Sequence, residues 1–287
     1  MKTTINQLLM NGTKKLKQAS MNTARLDAEV ILAHQLGCNR IDLIINCNDE
    51  VDEKQQKLYY DKIKERIQGK PVQYIVGQQE FMGLPFKVTP DVLIPRPDTE
   101  ILVESAIEEA KSMKKPLIIL DIGTGSGAIA LSLAYYMMES LVYTVDISPE
   151  AIEVAQENAK HLSLTQRVYF YLGDLMTPLE KELYGKVDLL VSNPPYIPHH
   201  EIANLQKEVR DYEPTIALDG GKDGLEFYRR ILKEGEKLLS FQGKMIFEVG
   251  YDQAQSVFDI LKESKIFNEI AIQKDLAGID RTIIARK

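Results

Sequence analysis

The stretch VSNPPYIP (191–198) closes a run of apolar residues with an asparagine, two prolines and a tyrosine. Proline fixes φ and carries no backbone N–H. Pro194 and Pro195 therefore form a stiff corner whose carbonyls stay free to accept hydrogen bonds. Asn193 and Tyr196 flank that corner with an amide and an aromatic face. A planar –NH2 group set there could donate one hydrogen to the Asn193 side-chain oxygen and the other to the Pro194 carbonyl, with Tyr196 stacked on its face. The same residues could also do no more than stop a strand. His199 and His200 follow on a proline-flanked loop, where a histidine pair reads as surface rather than as a base or a metal ligand.

A second stretch with chemical content is DIGTGSGA (121–128). Glycines let the backbone turn tightly and approach a ligand closely. Read literally, Gly123, Thr124, Gly125, Ser126 and Gly127 also fit the dinucleotide fingerprint G-x-G-x-x-G/A, so the loop alone leaves NAD open. Two carboxylates shift the balance. Asp121 lies just before the loop, where it would repel a pyrophosphate and favour a cationic ligand. Asp146 ends the next apolar run, 25 residues on, where an acid can accept from both ribose hydroxyls.

S-adenosylmethionine fits this set better than NAD. It offers an adenosine to Asp146 and an ammonium and a sulfonium to the Asp121 side. Its carboxylate can meet the N–H groups at the helix start near Ser126 and Gly127. Asp174 could accept from the adenine amino group with Leu175 packed on the ring, or could be an ordinary turn carboxylate. A methyl donor there gives the Asn193–Tyr196 corner a use. An amide or aromatic amine nitrogen is a poor nucleophile because its lone pair is delocalised. Two fixed acceptors would stabilise it as it becomes positive while attacking a methyl group. No general base is obvious, and none is needed, since alkylation itself makes the nitrogen's proton acidic.

The elements that must carry these residues alternate. LIILDIG (117–123), LVYTVDI (141–147), RVYFYLGD (167–174), VDLLVSN (187–193) and KMIFEVG (244–250) read as strands. Helices are expected over 126–138, from Ser148, over 225–239 and over 252–263. Such alternation predicts an α/β fold with a parallel sheet covered on both faces. Ligands of such sheets collect at the carboxyl edge, which both stretches occupy. Two late strands, 268–273 and 281–286, have too short a loop for a crossover and should pair antiparallel.

Upstream, residues 72–95 mix β-formers with Gly and Pro, which predicts a β-hairpin linking two domains. A helix should begin at Pro97. Residues 1–71 read as a small helical bundle, with Leu8, Leu9 and Leu16, then Leu26, Val30, Ile31 and His34, then a helix near 52–68. Nothing in the bundle has catalytic spacing, so it is expected to dock the substrate, leaving 96–287 as the catalytic domain.

Composition narrows the partners. The net charge of −7 divides into +3 over residues 1–75 and −10 over the remainder. The acidic part is poorly suited to gripping a polyanion, so no direct DNA binding is expected. Apolar runs such as LIIL (117–120) fall far short of the about 20 residues that span a bilayer, and the opening residues do not read as a signal peptide. Cys38 and Cys47 lack metal or redox spacing, which fits a reducing cytoplasm without a zinc site. Nothing demands an obligate oligomer, so a monomer is expected.

With DIGTGSG and NPPY together, the sequence resembles the N-methyltransferases that act on amides or on nucleobase amino groups. EFMGLPF (80–86), IPRPDTE (94–100), ALDGGKDGL (217–225) and DLAGIDR (275–281) extend that likeness over essentially the whole chain. They resemble the release factor glutamine methyltransferase family. The resemblance implies a Rossmann-like seven-stranded methyltransferase sheet with an antiparallel C-terminal hairpin. It also implies methyl transfer from S-adenosylmethionine to the glutamine N5 of the Gly-Gly-Gln motif in peptide-chain release factors, and so a part in translation termination. By position, Asn193, Pro194, Pro195 and Tyr196 form the corner that grips the amide. Gly123–Gly127 and Asp146 bind the cofactor, and Arg96 shapes the pocket or forms a structural salt bridge. The competing readings are a DNA adenine-N6 methyltransferase using the same grip on a flipped base, an NAD(P) oxidoreductase, and a non-catalytic scaffold for a translation factor.

Overall fold

The structure, a computed structural model, describes residues 3–114, 116–179 and 181–287; Met1 and Lys2, which open the expected helical bundle, lie outside the described residues. The chain forms two compact units, Met1–Gln78 with Gln206–Tyr212, and Gln79–Leu205 with Glu213–Lys287.

In the first unit, β1 (Thr3–Thr4) leads into α1 (Ile5–Gln18), followed by α2 (Ala24–Leu36), α3 (Arg40–Ile45), β2 (Glu50–Val51), α4 (Glu53–Ile67) and α5 (Val72–Val76). α1 starts where Thr4 and Gln7 cap each other reciprocally: Gln7 N–H donates to Thr4 Oγ1 at 3.3 Å, and Thr4 N–H to Gln7 Oε1 at 2.9 Å. Leu8, Leu9 and Leu16 are buried as expected. The inward stripe of α2 differs from the expected one. Leu26 and His34 face out, and Ala24, Asp27, Ala28, Ile31 and Leu32 face in. The apolar spacing misleads because the buried face holds a charge, Asp27, which Arg66 neutralises at 2.6 Å. The other arm of Arg66 reaches Glu208 at 2.6 Å. With the bond from Tyr212 Oη to the Gln68 carbonyl, this pair holds Gln206–Tyr212 in the unit.

Residues 72–76 are helical rather than part of a hairpin. Tyr74 and Ile75 are buried, and Gly77 ends the turn in the left-handed region, so burial and a glycine stop override the β-forming side chains.

The second unit begins with the hairpin of β3 (Gln78–Phe81) and β4 (Leu84–Lys87), followed by α6 (Pro97–Ala110). Its two-residue turn, Met82-Gly83, has both φ positive, the twist that tight hairpins need. Phe81, Leu84 and Phe86 sit in the same core as α6 and the sheet, so the hairpin is part of this unit's packing. The alternation then runs β5 (Ile118–Ile122), α7 (Ala128–Tyr136), β6 (Leu141–Asp146), α8 (Pro149–His161), β7 (Val168–Leu172), β8 (Val187–Ser192). α9 (Lys207–Tyr212) is the segment that lies in the first unit, and α10 (Glu226–Gly235), β9 (Leu239–Glu248), α11 (Ala254–Glu263), β10 (Glu269–Lys274) and β11 (Asp280–Arg286) complete the chain.

The seven strands are ordered β10-β11-β9-β8-β5-β6-β7. β7, β6, β5, β8 and β9 run parallel, and β11 is antiparallel to both β9 and β10. The pleat sends Ile119, Leu189, Val191 and Ile246 into one core, and Leu120, Ile122, Leu190, Met245 and Phe247 into the other. Both faces are thus covered. β9 starts at Leu239, earlier than the sequence suggests, because Val187 pairs with Leu239 before a register shift.

Glu109, on α6, accepts from Lys244 at 2.8 Å and Arg286 at 2.6 Å in a largely buried cluster. Chiefly the Arg286 bond, against the cost of burial, holds its carboxyl down to about 2. Glu109→Ala should therefore cost about 2–3 kcal/mol of stability near neutral pH, measured by urea unfolding. The deficit should shrink in acid, because the ionised pair contributes above the unfolded carboxyl's ordinary range and is lost as pH falls toward 2.

Candidate active site

β5 and β8 end side by side, with Ile122 paired to Ser192. The Ser192 hydroxyl donates to the Ile122 carbonyl at 2.7 Å. The glycine loop and the Asn193–Tyr196 turn therefore leave the sheet as neighbours. A Cβ built on Gly123 would lie 3.8 Å from the Asn193 carbonyl oxygen. Between and around them opens a cavity of about 280 Å³.

Gly123, Gly125, Asp146, Asp174, Leu175, Asn193, Pro194 and Pro195 line this cavity, as does an apolar wall that includes Ile147, Ile216 and Phe227. Asp146 is fixed by its loop: Oδ2 accepts from Gly125 N–H at 2.8 Å and Oδ1 from Ser148 N–H at 3.0 Å. Burial pushes its pKa up, and these backbone donors pull it back. Ser148 also caps α8, accepting from Ala151 N–H at 3.1 Å. Leu175 holds φ at 48°, a strained value for a branched side chain. Asp174 carries an ion pair to Arg230 at 2.6 Å, a partner that sequence reasoning did not supply.

Asp121, Thr124, Ser126 and Gly127 build the loop from behind and are not among the lining residues. Asp121 is fully buried. Thr144 Oγ1 donates to its Oδ2 at 2.8 Å, while its Oδ1 has no hydrogen-bond partner. Burial, opposed by the Thr144 bond and aided by the charge of Asp146, pushes its pKa up to about 8. Thr124 Oγ1 donates to Thr144 at 2.7 Å.

The turn is braced by residues that the sequence did not single out. Gln253 Nε2 donates to the Tyr196 carbonyl at 2.8 Å and reaches the Gly224 carbonyl at 3.4 Å. Ile197 N–H donates to the Leu218 carbonyl, and Gly220 N–H to the Ile197 carbonyl. A Cβ on Gly220 would come within 2.7 Å of Tyr196 Cα, and one on Gly224, at φ +72°, within 2.3 Å of the Tyr196 oxygen. The ALDGGKDGL stretch thus cradles NPPY, and no side chain fits at those two positions. Asn193 Nδ2 donates to Thr99 Oγ1 at 3.3 Å. Tyr196 is half-buried against the core, and burial first, then the charge of Glu248, pushes its pKa up to about 12. Arg96 precedes α6 and pairs with the buried Glu213. His199 is exposed and pairs with Asp219.

These residues fit a nucleoside: a fixed carboxylate at the end of β6, an open glycine loop and apolar walls around one cavity. Fold and site together define an S-adenosylmethionine-dependent methyltransferase. Residues 113–278 match a methyltransferase domain family, and residues 7–77 match the PrmC N-terminal domain. The release factor glutamine methyltransferase of Clostridium acetobutylicum is 44% identical over 98% of both chains. That of Moorella thermoacetica is 42% identical over 98% of both. A methyltransferase structure from Pyrococcus furiosus shares the fold at a TM-score of 0.52, with 19% identity over 79% of this chain and 98% of that one. The chain belongs to the release factor glutamine methyltransferase family. Among the described residues, no helix is long and apolar enough to cross a membrane.

Proposed function

We propose that the Asn193–Tyr196 turn holds the side-chain amide of a glutamine, that of the Gly-Gly-Gln motif in a peptide-chain release factor, for methylation at N5. The observation that carries this reading is the shared wall of the cavity. The glycine loop, the Asp146 carboxylate and Asn193-Pro194 line one space at the end of adjoining parallel strands. S-adenosylmethionine, when bound, supplies an electrophilic methyl group on a sulfonium.

The chain's own residues do the rest. Asp146 accepts from the ribose hydroxyls, and Leu175 packs on the base. Asn193 Oδ1 and the Pro194 carbonyl accept the two amide hydrogens, orienting the nitrogen lone pair toward the methyl. As the nitrogen becomes positive, those two acceptors stabilise it more than they stabilise the neutral amide, which is where the rate gain arises. Tyr196, its hydroxyl kept protonated by burial, covers the amide face. The proton leaves to solvent after transfer.

The helical unit docks the release factor, and the enzyme works as a cytoplasmic monomer on protein rather than DNA. The acidic charge of the catalytic part supports the choice of protein. On α3, Ile41, Ile44 and Ile45 share one helical face and stand 69%, 67% and 71% exposed, an apolar surface suited to a protein partner. Ile44→Asp with Ile45→Asp should raise KM for the intact release factor about tenfold, the effect of one interface residue. Cofactor affinity should not change. Steady-state kinetics against the intact factor, with cofactor titration beside it, checks this; an unchanged KM removes the docking surface.

A further inference from the structure

Glu248 ends β9 at the same sheet edge as Asn193. It is 2% exposed, and its Oε2 has no hydrogen-bond partner. A buried carboxyl with an oxygen that no hydrogen bond satisfies is costly, and this one follows Phe247, the strand partner of the residue before Asn193. Ser192 and Phe247 pair across β8 and β9, so Asn193 and Glu248 leave the sheet as neighbours. Thr99 and Asn193 lie close enough to hold the Glu248 pKa down against burial, and Asn193 Nδ2 donates to Thr99 Oγ1 at 3.3 Å.

An asparagine amide has a donor end and an acceptor end of nearly the same shape. Only the acceptor end can serve a substrate –NH2 group. We propose that Glu248 is a positioning residue, holding Nδ2 of Asn193 directly and through Thr99 so that Oδ1 faces the cavity. A reversed amide would set its oxygen against the carboxylate, two acceptors facing each other. Its –NH2 would then oppose the –NH2 of the substrate. The inference rests on the reading of Asn193 given above.

The surroundings give this arrangement a pH dependence. Burial is the largest influence on Glu248 and raises its pKa to about 7, against the Thr99 bond and the charge of Arg281. Arg281 faces it from β11 and is paired with Asp98 of α6 at 3.1 Å. From α10, Tyr228 donates its hydroxyl to the Glu248 carbonyl at 2.9 Å, and Tyr196 lies in the turn. Both tyrosines are shifted upward and stay protonated at neutral pH. Below about pH 7 Glu248 takes up a proton, becomes a donor itself, and no longer discriminates between the two orientations of Asn193.

The test is kcat against pH at saturating S-adenosylmethionine for the wild type, Glu248→Gln and Thr99→Val, with folding checked by circular dichroism. Wild-type kcat should rise with pH through about 7. Glu248→Gln should lower kcat about tenfold at pH 8, less than loss of a direct contact, and flatten that limb while leaving KM for the release factor within about twofold. Thr99→Val should lower kcat but keep the limb. Asp121 and Asp146, the other acids near the cavity that burial raises, belong to the cofactor side, and saturation with S-adenosylmethionine removes their influence on kcat. A folded Glu248→Gln enzyme with wild-type kcat and an intact limb overturns the proposal. If that variant does not fold, a wild-type kcat that is flat across pH 6–8 overturns it equally. Full activity in Asn193→Ala would instead remove the grip on which the inference depends.

Discussion

Asn193→Ala should lose about 10²–10³ in kcat, the usual effect of deleting one preorganised contact to developing charge, while S-adenosylmethionine still binds. The asparagine lies at the end of a buried parallel strand whose partner carries the glycine loop, so the substitution removes an acceptor without moving the cofactor site. Its amide donates to Thr99 at 3.3 Å and lies beside the Glu248 carboxyl, contacts made at the turn and not within the hydrophobic core. Asn193→Asp is the informative companion. It retains an acceptor but places a second negative charge beside the buried Glu248. It should therefore be less active than wild type and lose the KM for release factor more than it loses cofactor affinity. Single-turnover kinetics with intact release factor separates these effects from product release.

Asp146→Ala should weaken S-adenosylmethionine binding by at least about 10²-fold. Each ribose hydroxyl bond to an ionised acceptor contributes roughly 1.5–3 kcal/mol, and each 1.4 kcal/mol is tenfold in affinity. The substitution also releases the Gly125 and Ser148 N–H groups that the carboxylate holds, so the loop loses its anchor as well. Asp146→Asn, which retains an acceptor oxygen, should fall between wild type and alanine. Burial raises the pKa of Asp146. Affinity in the wild type should therefore decline as pH falls through that raised value, and in Asp146→Asn the decline should be weaker, the part from Asp121 remaining. Isothermal titration over a pH series checks both expectations.

The parts of the site legible in the sequence are those where local pattern and chemistry coincide. Asp146, Asp174 and Asn193 each close a strand-like apolar run, and alternation with helices assigns all three to one edge of a parallel sheet, where they line one cavity. Asp121, expected to face the ligand, lies buried behind the loop instead. The antiparallel final pair followed from a loop too short for a crossover. What escaped notice depends on contacts between distant segments. Thr99 meets Asn193 across 94 residues, and Gln253 meets Tyr196 across 57. Neither residue has a local signature, since a threonine in a first helical turn and a glutamine before a helix are ordinary. Arg230 as the partner of Asp174 is of the same kind. The short α9 was missed because six residues, KEVRDY, are too few to show a period, and its anchor, Arg66, lies more than a hundred residues upstream. For α5 the β-forming side chains pointed one way and the burial of Tyr74 and Ile75 the other.

Methylation of a release-factor glutamine at this site is tested most directly by locating the transferred methyl group. Labelled S-adenosylmethionine would be supplied with intact release factor or with duplex DNA, and mass spectrometry would locate the methyl group, with Asn193→Ala alongside. One methyl is expected on the glutamine of the Gly-Gly-Gln motif, absent with the variant, and none on DNA. Methyl transfer to adenine, or transfer to the glutamine that is undiminished in Asn193→Ala, would contradict it.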